Sequence, residues 1–110
     1  MLTLQQTVPP GDIVVCPLST VQYTCIADTI MAWRESGSPA TASYTVLPPA
    51  SKVNDTAMAG SFNTVLTDIN GDTLTSTATI DSVSQAKNGS NISCQGITST
   101  ATILLRVQGT

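Results

Sequence analysis

From Leu2 to Val107 the sequence falls into short runs in which apolar and polar residues alternate, each closed by Pro, Gly, Asn or Asp. A two-residue period belongs to a strand with one buried face, and no stretch sustains the 3.6-residue period of an amphipathic helix. Thr20–Ala27 is the clearest run: Val21, Tyr23 and Cys25 fall on one face, Gln22 and Thr24 on the other. Ala101, Ile103, Leu105 and Val107 repeat the pattern within Ser99–Val107. Leu2–Val8 and Asp12–Cys16 flank Pro9-Pro10-Gly11, Ile30–Glu35 surrounds Trp33, and Ala42–Leu47 lies between Gly37-Ser38-Pro39 and Pro48-Pro49. Phe62–Ile69, Thr73–Ile80 and Ser90–Gln95 complete the strands, with Ser84–Gly89 a turn and Ala50–Gly60 a polar loop holding at most a minor edge strand. About nine short strands with turns every 8–12 residues are the pattern of an all-β sandwich. The 110 residues suit one domain, 1–110.

Asn70-Gly71 is the strongest hairpin signal, because both central residues of a type I′ turn take positive φ, which Asn and Gly tolerate. The surrounding Asp68-Ile69-Asn70-Gly71-Asp72 spaces oxygen atoms like the start of a calcium loop. Thr73 and Thr79 stand where that loop needs Gly and Glu, so the segment reads as a hairpin with solvated acids.

The composition excludes whole classes of function. Four basic residues against seven acidic ones give a net charge of −3, and four scattered cations make no electrostatic footprint for DNA or RNA. No apolar run approaches the roughly 18–20 residues of a membrane-spanning helix, and 41% hydrophobic residues is too many for a disordered chain. There is no His, no base beside a recognisable nucleophile motif, no glycine-rich phosphate loop and no carboxylate pair at a working spacing. Enzyme activity, a metal and a cofactor are therefore not expected. The 12 Ser and 18 Thr read as the solvent-facing half of the strands. Besides Trp33, only Tyr23, Tyr44 and Phe62 carry rings, too few for an exposed sugar-stacking platform.

Cys16, Cys25 and Cys94 are spaced by nine and 69 residues, unlike the close pairs of a zinc site. A disulfide across the domain fits better and implies an oxidising compartment. Three N-x-Ser/Thr acceptors, at Asn54, Asn88 and Asn91, agree with an extracellular, cell-surface location. Met1-Leu2-Thr3-Leu4 runs into polar residues without the apolar stretch of a signal peptide. The chain is accordingly read as a domain of a larger secreted or membrane-anchored protein, Met1 as an expression start, and any membrane anchor as lying outside these residues.

The order Cys25, Trp33, Cys94 resembles the immunoglobulin superfamily over essentially the whole chain. So do the strings Val21-Gln22-Tyr23-Thr24-Cys25, Ile30-Met31-Ala32-Trp33-Arg34, Ala78-Thr79-Ile80-Asp81-Ser82-Val83 and Asn91-Ile92-Ser93-Cys94. The resemblance implies a Greek-key β-sandwich with Cys25 on strand B and Cys94 on strand F joined between the sheets, and Trp33 of strand C packed beside them. Ile92 replaces the tyrosine-corner Tyr, and Asn88 stands where the family often has Asp. The last strand lacks the Phe/Trp-Gly-x-Gly bulge of rearranged antigen receptors. The short interval from Cys25 to Trp33 requires a tight loop between strands B and C. The cysteine spacing and the extra strand at Ala42–Leu47 favour a variable-like or intermediate set. Cys16-Pro17, Asn88-Gly89-Ser90 and Ser93-Cys94 are similar to divergent domains of surface receptors from early-branching animals, adhesion molecules and receptor tyrosine kinase ectodomains among them.

What the resemblance implies about function is recognition by contact, with a protein ligand or a second copy of the chain as partner. The alternatives are a ligand-binding ectodomain of a receptor tyrosine kinase and a structural spacer module. Parity places Ala32 and Arg34 outward beside an inward Trp33, and Asn91, Ser93 and Gln95 outward beside Ile92 and Cys94. Leu104 and Arg106 point outward if Ile103, Leu105 and Val107 face the core. Strands C, F and G are neighbours in that fold, so Arg34, Gln95, Leu104 and Arg106 form the expected interface. Against it stands the plain reading of Leu104 as a single exposed apolar residue. Cys16 is a buried free thiol, half of a disulfide to a segment or chain outside these residues, or a partner of Cys25 or Cys94.

Overall fold

The computed structural model describes residues 2–11 and 14–109. Their nine strands are β1 (Leu2–Val8), β2 (Val21–Asp28), β3 (Ile30–Glu35), β4 (Thr41–Thr45), β5 (Thr56–Ala59), β6 (Phe62–Asn70), β7 (Thr73–Ile80), β8 (Asn91–Gln95) and β9 (Thr100–Leu104). One sheet has the order β1-β2-β7-β6-β5, the other β4-β3-β8-β9, and all these pairings are antiparallel. The inner faces pack on each other to give an all-β, immunoglobulin-like sandwich. β1-β2-β7-β6 takes the A-B-E-D places and β3-β8-β9 the C-F-G places. β4 extends the second sheet beside β3, and β5 extends the first beside β6.

Alternation builds the core directly. Val21, Tyr23, Cys25 and Ala27 of β2 and Leu74, Ser76, Ala78 and Ile80 of β7 point inward, with half-buried polar or β-branched residues between most of them. Met31 and Trp33 of β3 and Ile92 and Cys94 of β8 meet them from the opposite sheet. Cys25 and Cys94 are disulfide-bonded, with 6.4 Å between their Cα atoms, so the bridge links β2 to β8 across the sandwich. Trp33 pairs with Cys94 in the β3–β8 ladder and is fully buried beside the bridge. Its indole Nε1 donates to Ser76 Oγ at 2.9 Å, and that hydroxyl donates to the Val65 carbonyl at 2.6 Å. A buried N–H left without an acceptor costs about 1–3 kcal/mol. Ser76→Ala is therefore expected to destabilise the domain by about 1–2 kcal/mol, read as a lower urea midpoint with an unchanged m value.

Tyr44 of β4 is also buried, and its phenol shares a 2.8 Å hydrogen bond with Thr64 Oγ1. Burial holds that phenol above its ordinary value, with the Thr64 bond opposing the shift. The fold thus favours the neutral form. The resulting stability is complete below the ordinary phenol value of about 10 and is lost as pH rises through the raised folded value. Urea midpoints are expected to fall above about pH 10, and Tyr44→Phe to remove that part of the fall.

Several boundaries differ from the sequence reading for identifiable reasons. The hairpin turn is Gly71-Asp72 rather than Asn70-Gly71: Asn70 pairs with Thr73, and of the two loop residues only Gly71 has positive φ, at 63°. A register shift between Leu66 and Asp68 moves the β6–β7 pairing by one residue and carries the turn with it. The loop between β2 and β3 is tighter still, a single residue, Thr29, at φ 70°. Its N–H donates to the Asp72 carbonyl at 2.6 Å, and its carbonyl accepts from Val46 N at 2.9 Å. β4 ends at Thr45 because Ser51 Oγ accepts from its N–H and Ser51 N–H donates to its carbonyl. The polar 50–60 segment agrees with its reading as a loop with a minor edge strand: β5, four residues long, lies at the edge of its sheet. Of the expected strand Asp12–Cys16, Asp12 and Ile13 lie outside the described residues. Val15 makes a parallel bridge to Val107, and Cys16 is not in a strand. β9 stops at Leu104, after which residues 105–107 bond to the turn before β8 and to Val15.

Candidate functional site

The places where this domain can meet another molecule are its loop end and its two outer sheet faces. The loop end holds a cleft of about 230 Å³ between Leu2, Asp28 and the 96–99 loop. Ligand pockets usually measure about 300–1,000 Å³, so the cleft is small for that role. Among the described residues no three His, Cys, Asp or Glu side chains converge as metal ligands, and no helix is long and apolar enough to cross a membrane.

The four-stranded sheet turns Ala32 and Arg34 of β3, Asn91, Ser93 and Gln95 of β8, and Thr100, Thr102 and Leu104 of β9 outward. Arg34, Gln95 and Leu104 therefore share one face, but the ladder spreads them across it. Arg34 lies opposite Ser93, Gln95 opposite Ala32 and Thr100, and Leu104 opposite Asn91. Ser93 and Thr102 occupy the middle of the face, so a hydroxyl surface separates the three. Leu104 is 48% exposed. Arg106 lies past the end of β9 and is half-buried, its carbonyl accepting from Val15 N.

The three sequons occupy different places. Asn54 is exposed at φ 77° in the turn before β5. Asn88 is exposed, yet its Oδ1 accepts from Val107 N at 2.9 Å and ties the last segment to the turn between β7 and β8. Asn91 is exposed on the outer face of the four-stranded sheet, so a glycan there covers the surface on which Leu104 lies.

Cys16 is a free thiol and exposed, which corrects the buried reading. It sits on the turn after Val15, where the bridge to Val107 ends, and its Sγ donates to Gln108 Oε1 at 3.6 Å.

The five-stranded sheet presents a different surface. Its outward positions on β1, β2, β7, β6 and β5 are Thr, Gln, Asn, Val, Ile and Met, with acids only at the hairpin end, where Asp28 and Asp68 lie. Sequence reasoning passed over this face because Thr in a strand is the ordinary solvent-side residue. The signal was present as the run Thr73, Thr75, Thr77, Thr79 at strand spacing. It also missed Glu35, a carboxylate 3% exposed at the inner end of β3, whose inward direction follows from the parity of Trp33.

No family model matches the chain, and no curated protein matches it.

Proposed function

We propose that the chain is an extracellular recognition domain of a cell-surface receptor or adhesion protein, a member of the immunoglobulin superfamily in its variable-like or intermediate form, acting by protein–protein contact. The observation that carries this reading is the disulfide between Cys25 and Cys94 with the buried Trp33 paired to Cys94 in the ladder, in the strand order of an immunoglobulin-like sandwich. Such a bridge persists in oxidising compartments. What the frame then offers is two broad outer faces of Ser, Thr, Asn and Gln, suited to contact rather than to catalysis. The exposed acceptors Asn54, Asn88 and Asn91 support a glycosylated, extracellular setting. The spacer reading draws on the elongated shape, 47 × 22 × 22 Å.

Display on fluorescent beads tests the proposal. Beads coated with the folded domain are expected to bind one another or cells of the source organism, and beads coated with reduced, unfolded domain are not. Dispersed beads that bind no cell reject the contact reading in favour of the spacer.

A further inference from the structure

We propose that Asn70 is the site of a spontaneous covalent modification: its side-chain carboxamide reacts with the backbone nitrogen of Gly71 and, through a cyclic imide, becomes a carboxylate in water. The inference stands apart from the contact function and bears on the loop end of the domain.

The chemistry sets what the site must offer. The amide nitrogen of the residue after an asparagine gives up its proton to hydroxide and attacks the side-chain Cγ. The new N–Cγ bond closes a five-membered imide, and the side-chain nitrogen takes up a proton and leaves as ammonia. Water then adds to either imide carbonyl. Breaking the N–Cγ bond leaves aspartate, whereas breaking the original peptide bond leaves isoaspartate, with the main chain running through the side-chain carbon. No electrons are exchanged, and the co-reactant is water. A side chain on the following residue obstructs the attacking nitrogen, so glycine favours the reaction. A hydrogen bond from that N–H opposes its deprotonation and must be broken first.

Asn54, Asn63 and Asn91 precede Asp55, Thr64 and Ile92, and only Asn70 and Asn88 precede glycine. Both of these asparagines and both glycines are exposed, and nothing lies within 4 Å of where a Cβ would stand on either glycine. Access therefore does not separate the two sites, but hydrogen bonding does. Asn88 Oδ1 accepts from Val107 N at 2.9 Å, and Gly89 N–H donates to the Leu105 carbonyl at 2.9 Å. Both reacting groups there are held by the segment after β9. Asn70 closes the β6–β7 ladder opposite Thr73, and the bonds of such a pair belong to those two residues, which leaves Gly71 N–H outside the ladder. Among the described residues neither the Asn70 side chain nor Gly71 N–H has a hydrogen-bond partner. Ring closure then needs only the end of the hairpin to open, and ends open at the least cost. The product alters the loop end. Asp28 and Asn70 both pair with Thr73, from its two sides, so a carboxylate at residue 70 joins Asp28 and Asp72. Isoaspartate also lengthens the main chain ahead of Asp72, whose carbonyl accepts from Thr29 N–H at 2.6 Å in the turn between β2 and β3.

Incubation of the folded, unglycosylated domain at mildly alkaline pH, followed by peptide mass spectrometry, tests the proposal. Conversion at Asn70 is expected to run at least about tenfold faster than at Asn88 and to give both aspartate and isoaspartate. In the chain unfolded in guanidinium chloride with its disulfide reduced, both Asn-Gly pairs are released, and the two rates are expected to converge. Asn70→Gln, whose longer side chain has to close a larger ring, is expected to abolish the acidic species that the folded domain accumulates on anion exchange. Equal rates at the two sites in the folded domain, or an Asn70 that stays intact there, overturns the proposal. So does a difference that persists in the unfolded chain, which would belong to flanking sequence, or aspartate as the sole product, which would mean direct hydrolysis.

Discussion

Replacing Cys25 and Cys94 together by Ala is expected to remove about 4 kcal/mol from the stability of the domain. The bridge closes a loop across a sequence separation of 69 residues, and the chain-entropy relation gives about 4 kcal/mol for a loop of that size. A domain of this length has about 5–15 kcal/mol in total, so the loss is a large share. Packing adds to it, because the bridge lies against the fully buried Trp33 in the same ladder row, and two thiol-less alanines leave space there. Both cysteines must be replaced at once: a single substitution leaves an unpaired buried thiol in a chain that already carries the exposed thiol of Cys16. Urea unfolding of the double variant, compared with the parent at the same pH, reads the effect. A loss under about 1 kcal/mol means that packing alone holds the sheets together.

The residues around that bridge are also those most legible in the sequence. Val21, Tyr23 and Cys25 alternate without interruption, and β2 and β7 pair through eight consecutive residues without a shift. There, local pattern and tertiary structure agree. Legibility fails where one distant hydrogen bond or one extra residue decides the outcome. The hairpin turn is displaced by a shift at residues 66–68, which the Asn-Gly signal cannot reveal. β4 is cut short by Ser51, and the single-residue turn at Thr29 is held by Asp72 and Val46 from other loops. The outer faces were legible as parity but not as surfaces. Parity put Arg34, Gln95 and Leu104 on one side, and only the ladder register shows Ser93 and Thr102 between them. The same register is what turns the threonines of β7 from a compositional excess into the midline of the five-stranded sheet's outer face.

Glu35 is the sharpest conflict between local rule and structure, and it yields the second large expected effect. A carboxylate belongs outside a sandwich, yet Glu35 follows Trp33 by two residues on β3 and must face the same way. The structure pairs it with groups 26 and 52 residues away. Ser61 N–H donates to Oε1 at 3.1 Å from the turn between β5 and β6, and Lys87 Nζ donates to Oε2 at 3.1 Å from the turn between β7 and β8. Gly60 makes room for the carboxylate, since a Cβ built there collides with Glu35 Oε1, and its φ of 66° disfavours any other residue. One side chain thus ties the end of β3 to two separate turns. Lys87→Met removes the countercharge but leaves the carboxylate with its side chain 4% exposed. Breaking a buried pair in this way costs about 3–5 kcal/mol. Because the lysine side chain is itself 29% exposed, the lower end, about 3 kcal/mol, is expected. The double variant Glu35→Leu, Lys87→Met buries no charge and orphans only the Ser61 N–H, so it is expected to be more stable than Lys87→Met alone. Urea midpoints of the two variants and the parent decide the matter. A Lys87→Met cost below about 1 kcal/mol is that of a surface ion pair, and it would mean that water reaches the Glu35 carboxylate.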